Sequence, residues 1–436
     1  METVLIGIVG ICLMLALLLW GVPVAVSMGL TAFLGYGVLR GWDASLALAG
    51  AVVFEKAKSY ELAVIGLFIL MGSFILHAGI AGRLFGTLNK WLSWIRGGMV
   101  VATTMSCAVF GACCGSSLAT AATFSRVAVP ELIRYKHHPE IATAAVAASG
   151  TQAVLIPPSA LMVIYAILSE LPVGKCLVAG FLPGALSAFL YAVTILVVVR
   201  VRPYLVPRAL RRFSWKERLQ VLPNILPLLA IGTFILFALF FGWAGVTEIG
   251  GVGAFACFVT ALLMAGPRKA HIGQASKHAG RQTAMILFII IGAVWYSRFI
   301  AISRLPTAVV DWVAASNMPR YGVLAAILLM YVVLGMVMDV IGMLVITLPL
   351  VMPLITKLGF DPIWFGVIVI KMSEIAAITP PVGLNVYVTK VGVGDTATLG
   401  QIFKGCLYFL VADIATLVIL IAVPEISLFL PRHMAY

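Results

Sequence analysis

Apolar runs of about 20 residues, the length that crosses the hydrocarbon core of a bilayer, follow one another along almost the whole chain. They lie near 3–20, 22–39, 62–80, 141–170, 176–199, 220–241, 243–265, 283–302, 363–392 and 405–430. Each predicts a membrane-crossing helix, ten in all. Two further apolar stretches, 98–125 and 322–356, are interrupted at their middles by Gly111, Gly115, Ser116 and Ser117 in the first and by Gly335, Asp339 and Gly342 in the second. These predict hairpins that enter the membrane and leave on the side they came from. Non-helical backbone at that depth requires protein or an aqueous cavity to satisfy its N–H and C=O groups.

The same punctuation appears twice. Pro130, Pro139 and Pro157-Pro158 recur as Pro353, Pro362 and Pro380-Pro381, each displaced by 223 positions, with Ala153/Ala376, Leu161/Leu384 and Val163/Val386 in the same register. Upstream, Leu67-Phe68-Ile69 and Gly72 return as Leu287-Phe288-Ile289 and Gly292, displaced by 220. The pattern predicts an all-α polytopic membrane protein made of two related halves, each with a hairpin and a helix broken at Pro-Pro. The first repeat would span 61–200, with hairpin 98–125 and broken helix 141–170. The second would span 283–436, with hairpin 322–356 and broken helix 363–392. Residues 1–60, with an interfacial segment around Phe54 to Tyr60, and 201–282 have no repeat partner and are expected to be scaffold. Broken helices at matching places in two halves point to the binding site of a secondary transporter.

Composition agrees: 62% of residues are hydrophobic, 10% are charged, and mean hydropathy is +1.12, whereas about a quarter of a soluble domain is charged. The first apolar run has no basic segment before it and no small-residue cleavage site, so it reads as a retained helix. The seven cysteines sit in apolar surroundings without a CxxC pair and read as small buried hydrophobes. The net charge of +13 would suit a nucleic-acid partner, but its distribution argues otherwise. Arg200, Arg202, Arg208, Arg211, Arg212, Lys216 and Arg218 occupy one loop; Arg268, Lys269, Lys277 and Arg281 occupy another. With the N-terminus outside, 19 basic residues fall on the inner side and 8 on the outer, the bias that keeps positive loops in the cytoplasm. Five crossings then separate the two related segments, so the second half is inserted upside down relative to the first.

The chemistry available is modest. Ser116, Ser117 and Thr120 at the first hairpin tip, with carbonyls freed by Pro157 and Pro158, offer hard oxygen ligands suited to sodium; small residues there also serve close helix packing. The second half answers with Asp339 at its tip and Ile378-Thr379-Pro380-Pro381-Val382-Gly383-Leu384-Asn385 at its break. Asp339 is a candidate cation ligand or proton carrier, or else it pairs with Arg298 or caps a half-helix. Arg298 has the two-pronged geometry that holds a carboxylate, or it snorkels to the outer interface. Lys371 and Glu374, three apart, can satisfy each other across one helical turn. His77 reads as packing, and Glu170 as the outer end of a span. No GxxxxGK[ST] motif occurs, and no His/Asp/Glu cluster has transition-metal spacing. An ion gradient is the economical energy source, and no cofactor is expected.

Gly115-Ser-Ser-Leu-Ala-Thr120 leading to Val129-Pro130-Glu131, Ile156-Pro-Pro-Ser159 with Ile164-Tyr165, Gly335…Asp339…Pro349…Pro353, and Ile378-Thr-Pro-Pro-Val-Gly-Leu-Asn385 occur in this order over nearly the whole chain. The chain thereby resembles the large membrane subunit of tripartite ATP-independent periplasmic (TRAP) transporters. The resemblance implies a sodium-driven importer of organic acids such as C4-dicarboxylates or sugar acids in a bacterial inner membrane, with an elevator fold of the ion-transporter superfamily. It implies two partners, a small four-helix membrane subunit and a soluble periplasmic substrate-binding protein, and no nucleic acid. It places Gly115, Ser116, Ser117, Pro157 and Ser159 in one sodium site and Gly335, Asp339, Thr379, Pro380 and Gly383 in its counterpart. Thr120, Thr151 and Asn385 are the expected substrate contacts, with Arg298 added on electrostatic grounds alone. A stand-alone sodium-coupled carboxylate carrier and an ion channel are the alternatives.

Overall fold

The structure is a computed structural model that describes residues 2–207 and 212–435; Arg208 and Arg211 of the basic loop lie outside the described residues. Every element among the described residues is helical. The chain opens with three helices joined by tight turns, α1 (Glu2–Leu19), α2 (Val24–Arg40) and α3 (Trp42–Ala57). The segment expected as interfacial around Phe54 is the end of α3. The first repeat follows: α4 (Ala63–His77), a short amphipathic α5 (Ala81–Leu92), and the hairpin α6 (Gly98–Cys114) and α7 (Ser117–Arg134). Next come the broken helix α8 (Pro139–Thr151) and α9 (Ala160–Leu168), then α10 (Val173–Ala179) and α11 (Phe181–Val201). The middle segment contains α12 (Trp215–Val221), α13 (Leu226–Phe240) and α14 (Val246–Ala265). The second repeat gives α15 (Ile272–Ile302), α16 (Leu305–Ala315), the hairpin α17 (Arg320–Val337) and α18 (Val340–Lys357), the broken helix α19 (Pro362–Ile378) and α20 (Leu384–Val393), α21 (Leu399–Ala422) and α22 (Glu425–Arg432).

The duplication read from the prolines holds for whole elements: α5 and α16, α7 and α18, α8 and α19, and α9 and α20 start 223 or 224 positions apart. Both hairpins fold back on themselves. Phe110 of α6 meets Phe124 of α7 edge-on at 5.5 Å, and Thr347 Oγ1 of α18 donates to the Tyr331 hydroxyl of α17 at 2.7 Å. These pairs are centred on Ser117 and Asp339, the expected tips. The hairpin arms are longer than the apolar stretches alone suggest, because α7 continues to Arg134 through Pro130. The two halves are inverted: along the antiparallel contact of α4 with α15, Gly66 faces Thr283 while Ser73 lies 3.2 Å from Nδ1 of His278. His77 packs its ring on His278 at 5.4 Å.

Among the described residues, seven helical segments, or eight if the bent pair formed by α12 and α13 counts as one span, are long and apolar enough to cross a membrane. The expected ten spans include the two broken helices, whose halves are too short singly, and α2, whose 17 residues fall at the short end of what crosses a bilayer. α18, read as a hairpin arm, has the length and composition of a full span. Two boundaries move. α15 begins at Ile272, about 16 Å of helix before the expected span, so Lys277 and Arg281 are helical and not in a loop. The basic loop contains α12, started by a Ser214/Glu217 capping box and seated on α5 through Thr87 to the Val221 carbonyl (3.1 Å) and Trp91 to that of Arg218 (3.3 Å). Of the cysteines, Cys12 is exposed, which departs from the buried reading.

Candidate ion and substrate site

Each break is built by the same device. Gly111 of α6 lies directly on Ala153, just before the first break, and Gly335 of α17 lies on Ala376, just before the second. An added methyl would overlap the alanine in both places, so glycine is what lets each hairpin arm reach its broken helix. Both Pro157-Pro158 and Pro380-Pro381 are cis peptides. After each proline pair the chain re-enters a helix, at α9 or α20, with proline having removed backbone donors around the break.

At the first break the expected residues assemble. Gly115 ends α6 with φ +63°, a left-handed conformation that favours glycine, and its α-carbon faces the Pro158 carbonyl and the Ala160 amide. Ser116 caps α7, its Oγ accepting from the Ala119 amide (3.3 Å) while its carbonyl accepts from Thr120 Oγ1 (2.9 Å). Ser159 caps α9, accepting from the Met162 amide (3.3 Å) and donating to the Val154 carbonyl. The Ser117 carbonyl lies against Gly150 of α8, and Thr151 Oγ1 donates to the Ala148 carbonyl at 2.7 Å. Pro157, Pro158, Ser159, Thr120 and Thr151 are all buried.

The second break differs in exposure and in its acid. Asp339 is exposed and caps α18, accepting from the amides of Ile341 (3.1 Å) and Gly342 (3.4 Å). Of the readings open for it, the helix-capping one is realised, and Arg298 pairs elsewhere. Thr379 Oγ1 donates to the Ile375 carbonyl at 2.6 Å. Gly383 has φ +58° and sits under Phe403. Pro380 and Pro381 are exposed where Pro157 and Pro158 are buried. The inverted halves therefore stand in unequal environments.

Arg298 is not aimed at a hairpin tip. It binds Glu55 of α3 at 2.6 Å, and Glu55 also holds Lys56 at 3.1 Å. The Lys56 ammonium and the Arg298 guanidinium keep the Glu55 carboxyl below its usual range. The pair lines a crevice of about 90 Å³ with Glu170, Ser297 and Pro349. Asn385 donates from Nδ2 to the Ala147 carbonyl at 3.1 Å, which ties α20 to α8.

Partnerless buried polar atoms and one long-range ion pair escaped sequence reasoning. The Asn385 Oδ1, the Thr389 hydroxyl one turn further along α20, and both polar atoms of Gln152 at the end of α8 are buried without a partner. Unsatisfied buried amides are costly, and they mark the two break regions as polar. Glutamine directly before an interrupted apolar run was the available signal for Gln152. Finally, Lys371 binds Glu374 as spacing suggested (2.7 Å), but it also binds Asp413 of α21 at 2.6 Å. No group of three or more metal-ligating His, Cys, Asp or Glu side chains occurs among the described residues.

Comparison with known proteins is consistent across nearly the full length. The family described as "Tripartite ATP-independent periplasmic transporter, DctM component" matches residues 11–426. The C4-dicarboxylate TRAP transporter large permease protein DctM of Pseudomonas aeruginosa is 33% identical, covering 87% of this chain and 88% of its own. Its namesake in Vibrio cholerae is 29% identical over 96% of each chain. Among solved structures, the antimetabolite efflux pump MtrF of Neisseria gonorrhoeae shares the fold with a TM-score of 0.56 at 14% identity, covering 87% of this chain and 84% of its own.

Proposed function

The chain belongs to the family of DctM components of tripartite ATP-independent periplasmic transporters, and we propose that it is the transport subunit of a sodium-driven importer of C4-dicarboxylates or related organic acids. The substrate class is supported by the relatives that are named for C4-dicarboxylates. Membership of the family brings a tripartite system with it, so the substrate reaches this subunit from a soluble binding protein and a small membrane subunit completes the complex. A bacterial inner membrane with the basic loops in the cytoplasm is supported by the uneven distribution of lysine and arginine.

The observation that carries the reading is the glycine-on-alanine seat of a hairpin on a Pro-Pro break, present twice in inverted halves of unequal exposure. Freed carbonyls, capping side chains and half-helix ends around each break supply oxygen ligands for a hard cation. One sodium site is assigned to Gly115, Ser116, Ser117, Pro157 and Ser159, and the other to Gly335, Asp339, Thr379, Pro380 and Gly383. Thr120, Thr151 and Asn385 are assigned to the substrate. Arg298, paired with Glu55, is assigned to clamping α3 against α15. Exchange of environment between the two halves, with hairpins and broken helices moving together against the scaffold, would give alternating access of the elevator type.

The test is uptake of a labelled C4-dicarboxylate by proteoliposomes containing this subunit, the small subunit and the binding protein, with each omitted in turn. Uptake is expected only with all three. Full uptake by this chain alone would identify a stand-alone carrier.

A further inference from the structure

The best-defined polar cluster away from the proposed ion sites is buried completely. Lys371 of α19 has no exposed surface and donates to Glu374 Oε2 (2.7 Å), Asp413 Oδ1 (2.6 Å) and Ser187 Oγ of α11 (2.8 Å). Tyr191 of α11 donates to the other Asp413 oxygen at 2.8 Å. The three donors of the ammonium are thus all used. The second oxygen of Glu374, Oε1, is buried with no partner.

Charge balance decides what this arrangement contains. One ammonium faces two carboxylates, so with both ionised the cluster carries a net negative charge inside an apolar bundle. An isolated buried charge is far more costly than a buried neutral group. Asp413 has both oxygens satisfied, by Lys371 and by Tyr191, and is the carboxylate best suited to stay ionised. Glu374 has one oxygen bound and one bare, and a bare anionic oxygen costs more than a bare hydroxyl. Among the described residues, the other charged side chains of the helices packed on α19 stand towards helix ends, namely Lys175, Arg320, Lys390, Glu425 and Arg432, together with Glu140 meeting Lys404 and Lys357 meeting Asp311. The tyrosines of α9 and α17 are engaged too, Tyr165 with the Pro362 carbonyl and Tyr331 with Thr347.

We propose that the Lys371–Glu374–Asp413 cluster is a proton-binding site, with the proton on Oε1 of Glu374, leaving a neutral acid beside a balanced Lys371–Asp413 pair. The ligand is a hydron taken up by one carboxylate oxygen, and its binding makes the cluster electrically neutral. Glu374 occupies the position equivalent to Thr151 in the first half, 223 positions earlier, and lies just over one turn before the second break. Proton occupancy is thereby placed at the end of α19 that leads into the second break, distinct from the residues assigned to sodium.

Infrared spectroscopy of the full chain in liposomes tests this without relying on transport. With glutamate isotopically labelled at its side-chain carboxyl, a carboxylic-acid C=O band at neutral pH is expected to shift. The band is expected to stay in place on aspartate labelling and to vanish in Glu374→Gln. A band that follows the aspartate label, or the lack of any carboxylic-acid band, overturns the proposal. Should Glu374→Gln fail to fold, the two labelling experiments on the unaltered protein decide alone.

Discussion

Asparagine caps a helix about as well as aspartate but carries no charge, so Asp339 is where folding and transport can be separated. Its carboxylate accepts two amides of α18, and Asp339→Asn is expected to leave thermal stability unchanged. The sodium concentration for half-maximal uptake should rise about tenfold, the equivalent of about 1.4 kcal/mol; an unchanged sodium curve would remove Asp339 from the cation site. A different residue sets a pH limit. His137, between the first hairpin and α8, is buried with its ring against the Leu132 carbonyl (3.1 Å), and burial pushes its imidazole down to about 4. The unfolded chain takes up this proton from about pH 6.5 downward, so stability present above 6.5 is lost as pH falls towards 4. Melting curves over that range should show the loss, and His137→Asn should flatten it. At this scale the sequence reveals residue types better than partnerships. Asp339, Lys371 and Glu374 stand out as charges in apolar runs. The pairings with Glu55 and Asp413 do not show, because Glu55 is 243 positions from Arg298 and Asp413 is 42 from Lys371, and no local spacing reports such a contact.

The two breaks illustrate what is legible at the scale of an element. Pro-Pro inside an apolar run says where a helix must stop, and α8 and α19 end within a few residues of it. What the sequence conceals is the hairpin's seat, since Gly111 and Gly335 look like any small residue of a membrane helix until Ala153 and Ala376 are found beneath them. Gly335→Ala is therefore expected to destabilise the protein by about 1–3 kcal/mol, the usual cost of overpacking. Adding Ala376→Gly should restore most of the loss in thermal unfolding, whereas additive destabilisation would show that the two do not share a contact. Helix ends exposed to solvent are the opposite case. The turns of α15 that carry Lys277 and Arg281 look like a charged loop because polar residues outside an apolar span do not reveal whether the helix continues.

For the whole molecule, the inverted duplication was the most legible property, since displaced prolines survive where other similarity has faded. The unequal exposure of the two breaks was not legible, because both carry the same motif and only packing distinguishes the buried Pro157-Pro158 from the exposed Pro380-Pro381. That inequality is what alternating access requires, as two identical half-sites cannot both be open to one side while cargo crosses. In the proposed mechanism, sodium and an organic acid cross together on these two half-sites. This coupling is tested most directly by following radiolabelled sodium and a labelled C4-dicarboxylate into the same proteoliposomes containing the complete tripartite system. Both are expected to enter at a fixed ratio, with dicarboxylate uptake abolished when choline replaces sodium; undiminished dicarboxylate uptake in choline would rule out sodium coupling.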